Sequence, residues 1–361
     1  MNKPQRSAIT IKDLANLLGM AHTTVSRALN DHPKISADTK ARVREAANKL
    51  GYVTNSGARS MRMGSSKLVG LIVPDVQNEF YSSAARAMAE LCAQLGYQMV
   101  LGVSEDDPAR EEQHVRTLRE SRCAGVLITP CGASTVLTAE LLRQVPTVQF
   151  LRFDKQLGSI CVQADDIEGT YQATEHLMQL GHRRIGFVGG RREVSTGLRR
   201  ISGYEAALRK HGLDADPALQ RFGPTRPEFG EAALASLLAE PVRPTALVVG
   251  SSRQLLGVLR GLRERGMKVP QALSVVGYGD ADWFQVSEPP VTAIALPVRD
   301  MSERATQLLF ELLALGASGR TRTPEPMFGT QLVLRESTAR LDDAGAPSME
   351  TASVRATSAP A

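Results

Sequence analysis

The sequence predicts an α/β chain: an N-terminal head of three helices, then a two-lobed body of parallel βα sheets. Three observations carry this. Residues 10–51 show helical periodicity and no strand-like run. From Lys67, near-continuous apolar runs alternate with amphipathic segments, the pattern of parallel strands joined by crossover helices. That alternation comes in two successive series divided after "ICVQADD", which implies two sheets and hence two lobes.

In the head, Ile11, Leu14, Ala15 and Leu18 share one face of a helix over 11–18, with Thr10 as N-cap and Gly19 as stop. A second helix fits His22 to Leu29 and turns Val25, Ala28 and Leu29 inward. Ser36 caps a third, whose Val43, Ala46, Ala47 and Leu50 face the bundle before Gly51 ends it. The polar stretch "VTNSGARSMRMGSSK" reads as a linker. In the body the order is strand "LVGLIVP", helix 79–95, strand "YQMVLGV", helix 108–121, "AGVLITP", helix 134–143, "TVQFL" and "ICVQADD". The second series runs helix 167–180, "RIGFVGG", helix 199–211, a short "LQRFG", helix 227–239, "TALVVG", helix 253–265 and "LSVVGYG". "VTAIALPVRDMSERATQLLFELL" adds a strand and a helix, and "EPMFGTQLVLRES" a closing strand. From Leu341 the Ala, Ser, Thr and Pro composition without periodicity predicts a disordered tail.

Charge separates head from body. Residues 1–64 hold eleven Lys and Arg against four Asp and Glu, a net of +7, which leaves 32 basic against 34 acidic residues for the rest. A small basic head on a near-neutral body points to a polyanionic partner at one end. The polar start lacks an apolar leader core, and no run approaches the ~18 apolar residues of a membrane span, so neither export nor membrane insertion is expected. Cys92, Cys123, Cys131 and Cys161 have no C-x-x-C spacing and read as buried or half-buried free thiols. Catalytic patterns are lacking. "GFVGG" has no P-loop lysine, and no nucleophile elbow occurs. His22, His32, His114, His176, His182 and His211 show no metal spacing. No enzyme activity, metal or cofactor is expected.

A helix, a tight glycine turn and a second helix in "TIKDLANLLGMAHTTVSRALN" make a helix-turn-helix, whose second helix can lie in a DNA major groove. With Val25, Ala28 and Leu29 inward, His22, Thr23, Ser26 and Arg27 are left outside. Arg27 can donate two hydrogen bonds to a guanine, and His22 and Thr23 offer a donor, an acceptor and a methyl. Thr24 and Ser26 suit phosphates, and Asn30 closes the contact set at the helix end.

That stretch, with "ISADTKARVREAANKLGYVTN" and "ARSMR" behind it, resembles the DNA-binding head and hinge of the lactose-repressor (LacI/GalR) family of bacterial transcription regulators. "LVGLIVPDVQNEFY", "ATEHLMQLGHRRIGFVGG", "GYEAAL", "RGMKVPQALSVVGYGD", "PPVTAIALP" and "LVLRES" look like its effector-binding core, in order over roughly residues 9–338. The resemblance implies a helix-turn-helix head at 1–54, a hinge helix within 55–66 and a periplasmic-binding-protein-like core at 67–340. One lobe would hold about 67–162 and 294–324, the other about 163–291 and 326–340, before the tail at 341–361. It also implies a cytoplasmic, nucleoid-associated homodimer, most often a repressor, on pseudo-palindromic operator DNA, with helix 79–95 and its neighbouring surface at the dimer contact. A periplasmic solute-binding protein is the alternative, against which the basic head and the missing export signal stand. At the hinge the family inserts an apolar wedge, usually leucine, into the minor groove; here that residue is Met61, flanked by Ala58, Arg59 and Arg62.

Parallel sheets bind ligands beyond the carboxyl ends of their strands, so the cleft between the lobes is the expected effector site. Asn78, Phe80 and Tyr81 follow the first strand, and the resemblance has the two aromatics stack on or flank the effector. Thr196 and Arg200 match its effector-contact or supporting positions, and Thr225 and Arg226 reach the cleft edge. Arg191, Arg192 and Arg199 read as solvated loop residues. Trp283 either stacks on a sugar face or packs between lobes. Ser251 and Ser252 stand where the family usually has an Asn-Asp pair, and Leu151 where an aspartate is frequent. Gly279, with Asp280 beside it, stands where many members keep an aspartate. "VQADD" retains Asp165 and Asp166, of which Asp165 is the candidate contact. Few carboxylates beside retained arginines favour an anionic effector such as a sugar acid or phosphosugar, with an uncommon neutral ligand left open.

Overall fold

The structure, a computed structural model, describes residues 9–52, 66–315 and 327–341. They fall into two compact units divided between Ser66 and Lys67. The head is α1 (Ile11–Leu18), α2 (His22–Leu29) and α3 (Ala37–Leu50). The Asp13 N–H donates to the Thr10 hydroxyl while the Asp13 carboxylate accepts from the Thr10 N–H, a reciprocal cap that fixes where α1 begins. Gly19 ends α1 at φ +62°, and the Met20 N–H returns to the Ala15 carbonyl at 3.0 Å. Leu14, Val25, Ala28, Val43, Ala46 and Ala47 close the core. Between α2 and α3, Asp31 pairs with Lys40 and with Arg44, each at 3.1 Å.

The first lobe of the body is a parallel sheet in the order β2-β1-β3-β4-β5. Its strands are β1 (Leu68–Val73), β2 (Gln98–Val103), β3 (Gly125–Ile128), β4 (Thr147–Phe150) and β5 (Ile160–Val162), joined through α4 (Glu79–Gln94), α5 (Pro108–Glu120) and α6 (Val136–Leu142). The two-residue period of β1 sends Val69, Leu71 and Val73 to the core on one face and Ile72 to the core on the other, so helices must cover both. At the margin, β2 leaves Val100 and Leu101 exposed.

The second lobe is a six-stranded sheet in the order β11-β10-β9-β8-β6-β7, parallel except for its last pair. It is built from β6 (Ile185–Gly189), β7 (Gln220–Phe222), β8 (Ala246–Val249), β9 (Ser274–Tyr278), β10 (Thr292–Ala295) and β11 (Gln331–Val333). Its helices are α7 (Asp166–Gln179), α8 (Ser195–Lys210), α9 (Pro227–Leu238), α10 (Ser252–Glu264) and the short α11 (Asp282–Val286). The chain then returns through α12 (Val298–Leu315), whose Met301, Ala305, Leu308 and Leu309 fill the first lobe's core beside Met88 and Phe150. The other two crossings lie side by side: the Phe328 N–H donates to the Gln163 carbonyl and the Asp165 N–H to the Phe328 carbonyl, both at 2.8 Å. Helices α9 and α10 meet through glycine. A Cβ on Gly230 would stand 2.0 Å from the Gln254 carbonyl oxygen, and one on Gly257 1.8 Å from that of Pro227.

Several expectations are corrected. The return to the first lobe falls at 296–297 rather than near 291–294, because Ala293 and Ile294 of β10 complete the second lobe's cores against β9. The helix expected from 199 begins at Ser195, α11 was not expected, and β11 runs antiparallel. All four cysteines are buried and unpaired. The predicted hinge, Ser66 apart, and the predicted tail from 342 onward lie outside the described residues. Among the described residues no helix is long and apolar enough to cross a membrane.

Gly257→Ala should lower the stability of the body by about 1–3 kcal/mol in denaturant unfolding, since the added methyl lands on backbone; an unaffected midpoint would mean the two helices do not touch there. The segment after β11 is pinned by histidine. His176 Nε2 meets the Thr338 hydroxyl at 3.0 Å, while His182 meets the Thr245 hydroxyl at 2.9 Å and the Ala339 carbonyl at 3.1 Å. Burial holds both imidazoles below the ordinary histidine pKa. A folded-state pKa below the unfolded one contributes stability that is complete above about pH 6.5 and lost as pH falls toward the lowered value. The unfolding temperature should therefore drop on acidification below that point, and less so in a His176→Gln, His182→Gln double variant.

Candidate functional site

Two places gather the chemistry, one in each unit. On the head, α2 leaves His22, Thr23, Arg27 and Asn30 exposed and Thr24 and Ser26 half-buried, while Val25 and Ala28 seal the opposite face. Ala21 precedes the helix without a side-chain cap, so its first-turn N–H groups gain nothing from their own N-cap. The Asn30 amide folds back on the Ser26 carbonyl at 2.7 Å, which draws it toward the helix end. The surface so presented is a row of donors with one guanidinium. Ala58, Arg59, Met61 and Arg62 lie outside the described residues.

In the body, a cavity of about 980 Å³ opens between the lobes at the carboxyl ends of the strands. Its wall brings together Asn78, Phe80, Tyr81, Thr196, Arg200, Thr225, Arg226, Ser252, Asp280 and Trp283. Each follows the carboxyl end of a strand or opens the next helix, which is why short parallel strands converge them from distant sequence. Asp165 is not among them. It caps α7, accepting from the Glu168 N–H, and pairs with Arg199 at 3.3 Å. The residue turned inward is Asp166, the first of the helix, whose side chain is 1% exposed. Arg200 Nε donates to it at 2.7 Å and the Tyr278 hydroxyl donates to the same oxygen. Arg200 Nη1 also reaches the Gly250 carbonyl at 2.7 Å, with its guanidinium 3.6 Å from the Tyr278 ring centre. Burial opposes the Arg200 charge, yet Asp166 and Tyr278 beside it hold its pKa above the usual value. Burial, reinforced by Asp166, lifts the Tyr278 phenol well above its usual range and keeps it a donor.

A second buried pair lies on the first lobe, where Arg152 donates to Asp106 and to the Pro130 carbonyl. Tyr81 is within electrostatic reach of both pairs, and burial raises its pKa. Phe80 stacks on Phe150 with ring centres 5.5 Å apart, and Trp283 meets Phe284 edge-on at 4.4 Å. Across the cleft, Arg253 reaches Asp75 at 3.6 Å and Arg226 reaches Glu105 at 3.7 Å. Asp280 is held by Arg335 at 2.8 Å. The arginines that sequence counts as an excess are thus mostly paired. Arg199 is half-buried in α8 and paired with Asp165 rather than solvated in a loop, whereas Arg191 and Arg192 are exposed as expected, the latter 4.9 Å from the Phe222 ring centre. Sequence reasoning missed Asp75, Glu105, Asp106, Arg152, Arg253 and Tyr278 as wall residues. "SEDD" and the arginine of "FLR" directly follow strands, so the rule that found the others would have found these.

Residues 10–55 match the model described as "Bacterial regulatory proteins, lacI family", and residues 174–338 that of a "Periplasmic binding protein-like domain". The chain is 31% identical over 339 residues to the HTH-type transcriptional regulator GalR of Salmonella typhimurium, covering 93% of this chain and 98% of that protein. It is 30% identical over 343 residues to the HTH-type transcriptional repressor CytR of Escherichia coli, covering 94% and 99%. The fold is that of a lac repressor dimer solved on its operator with an anti-inducer, at TM-score 0.78 and 24% identity over 92% of this chain and 100% of that one.

Removing one partner of the buried pair tests the site. Arg200→Ala should destabilise the body by about 3–5 kcal/mol, because it strands the Asp166 carboxylate away from water. A loss under about 1 kcal/mol in urea unfolding would show that water reaches that carboxylate.

Proposed function

The chain belongs to the lacI family of bacterial regulatory proteins, and we propose that it is a cytoplasmic transcriptional repressor whose grip on a pseudo-palindromic operator is set by a small molecule held between its lobes. The observation that carries this reading is α2, a sealed helix with His22, Thr23 and Arg27 exposed on a head of net charge +7, joined to a body with a cleft. His22, Thr23 and Arg27 read base edges in the major groove, while Thr24, Ser26 and the head's remaining lysines and arginines contact phosphates. Asn30 supports the end of that helix. Met61, with Ala58, Arg59 and Arg62, serves as the minor-groove wedge of the hinge.

Two heads must meet two half-sites, so the protein acts as a homodimer through α4 and the neighbouring edge strand β2, whose exposed Val100 and Leu101 need cover. The cleft takes the effector, with Phe80, Tyr81 and Trp283 against its apolar surface and Arg200 among its polar contacts. Catalysis is not assigned to it; the relatives are regulators. Coupling is reciprocal, so the operator changes effector affinity by the same factor that the effector changes operator affinity.

Gel shift against a library of palindromes at several salt concentrations tests the reading. Operator affinity should fall steeply and log-linearly with salt. Arg27→Ala should lose about 1–3 kcal/mol and relax preference at one base pair of each half-site. Salt-independent binding, or an Arg27→Ala protein with unaltered sequence preference, would remove α2 from the role assigned to it.

A further inference from the structure

The two lobes differ in how their helices begin, α7 with its Asp165 cap apart. In the first lobe Asn78, Asp107 and Thr135 each accept from the first turn of α4, α5 and α6. In the second lobe α8, α9 and α10 start from Val194, Arg226 and Ser251, and none of these makes a side-chain cap. All three N-caps line the cavity, so first-turn N–H groups and the positive ends of three helices lie along one wall.

The start of α10 carries a second, independent feature. Ser251 is 5% exposed, lies in the wall, and its hydroxyl has no hydrogen-bond partner. Burying a hydroxyl without a partner is costly, and a donor placed there gains from an acceptor brought in from the cleft. Beside it, Arg200 Nη1 rests on the Gly250 carbonyl, which sets a cation at the mouth of the helix. Gly190 and Gly279 leave the neighbouring backbone bare: the nearest atom to a Cβ would be the Thr225 methyl at 3.6 Å for the first and the Ser252 Cβ at 3.9 Å for the second. Of the carboxylates near it, Asp75 pairs with Arg253, Asp166 with Arg200 and Asp280 with Arg335, whereas Glu79, Glu228 and Asp282 in the cavity wall make no ion pair among the described residues.

We infer that this corner is an oxyanion subsite, where the Ser251 hydroxyl, the first-turn N–H groups of α10 and Arg200 receive a phosphate or carboxylate carried by the effector. The inference rests on the reading of the cleft as the effector site. A neutral hydroxyl can accept only a little of what this corner donates, whereas an oxyanion accepts from several donors at once and is favoured by the helix end.

Trp283 is the chain's single tryptophan and lines the same cavity, so its fluorescence reports occupancy. The full chain is titrated at constant ionic strength with inorganic phosphate, glucose 6-phosphate, gluconate and glucose. At least one of the three anions should give a saturable response at a concentration tenfold or more below any response to glucose. Phosphate acting as well as glucose 6-phosphate identifies the free ion as ligand, and gluconate acting best identifies a carboxylate. Ser251→Asp should lose at least tenfold in that affinity while unfolding at or above the wild-type temperature, since aspartate is a strong N-cap and fills the corner with negative charge. Glucose binding as tightly as every anion, or a Ser251→Asp protein with wild-type anion affinity, overturns the subsite. Operator binding by the wild-type chain, measured alongside, judges the repressor reading separately: anion binding without it would leave the subsite standing and that reading fallen.

Discussion

A carboxylate that water does not reach organises the second lobe. Asp166 opens α7, takes the Arg200 guanidinium of α8 and the Tyr278 hydroxyl at the end of β9, and through Arg200 is tied to Gly250 at the end of β8. Such a pair adds little net stability, because the cost of desolvating two charges offsets much of their attraction. What it supplies is position. Four segments from different parts of the chain are held to one another by charge-assisted bonds, and removing either Arg200 or Asp166 leaves the other's charge unpaired. The second Asp166 oxygen is buried without a partner, a cost that the pairing on the first oxygen offsets.

Most of the architecture was legible because it rests on local signals. Thr10, Gly19, Ser36 and Gly51 punctuate the head, and apolar runs with turn residues between them mark the strands. What failed was what local pattern does not encode. Residues 292–295 read as a strand, but nothing in "VTAIALP" says which sheet receives it; that is decided by the cores on either side of β9. "ADD" offered two adjacent carboxylates, and only the phase of α7 tells that the first caps outward and the second is buried. Arginines were countable but their partners were not, since Arg152 and Asp106 stand 46 residues apart and Arg253 and Gln77 176 apart.

The pairings give the cleft two unlike walls. The first lobe contributes Asp75, Glu79, Glu105 and Asp106 against Arg152, and the second contributes Arg191, Arg200, Arg226 and Arg253 against Glu228, Asp280 and Asp282. Attraction across the gap is therefore built in, through Arg253 to Asp75 and Arg226 to Glu105, before any ligand arrives. The Arg226–Glu105 contact is largely exposed and worth little by itself, so a ligand that offers better partners can replace it at low cost.

The glycine seam between α9 and α10 brings the two helices into close approach at two points. Backbone rests on backbone at Gly230 and Gly257, and α7 and α8 meet the same way where a Cβ on Gly203 would stand 2.2 Å from the Ile167 oxygen. Helices locked like cogs cannot absorb a push by repacking. Force applied at the rim of that half must travel undiminished to the three thin straps joining it to its neighbour, which makes the half a stiff lever and the straps its fulcrum.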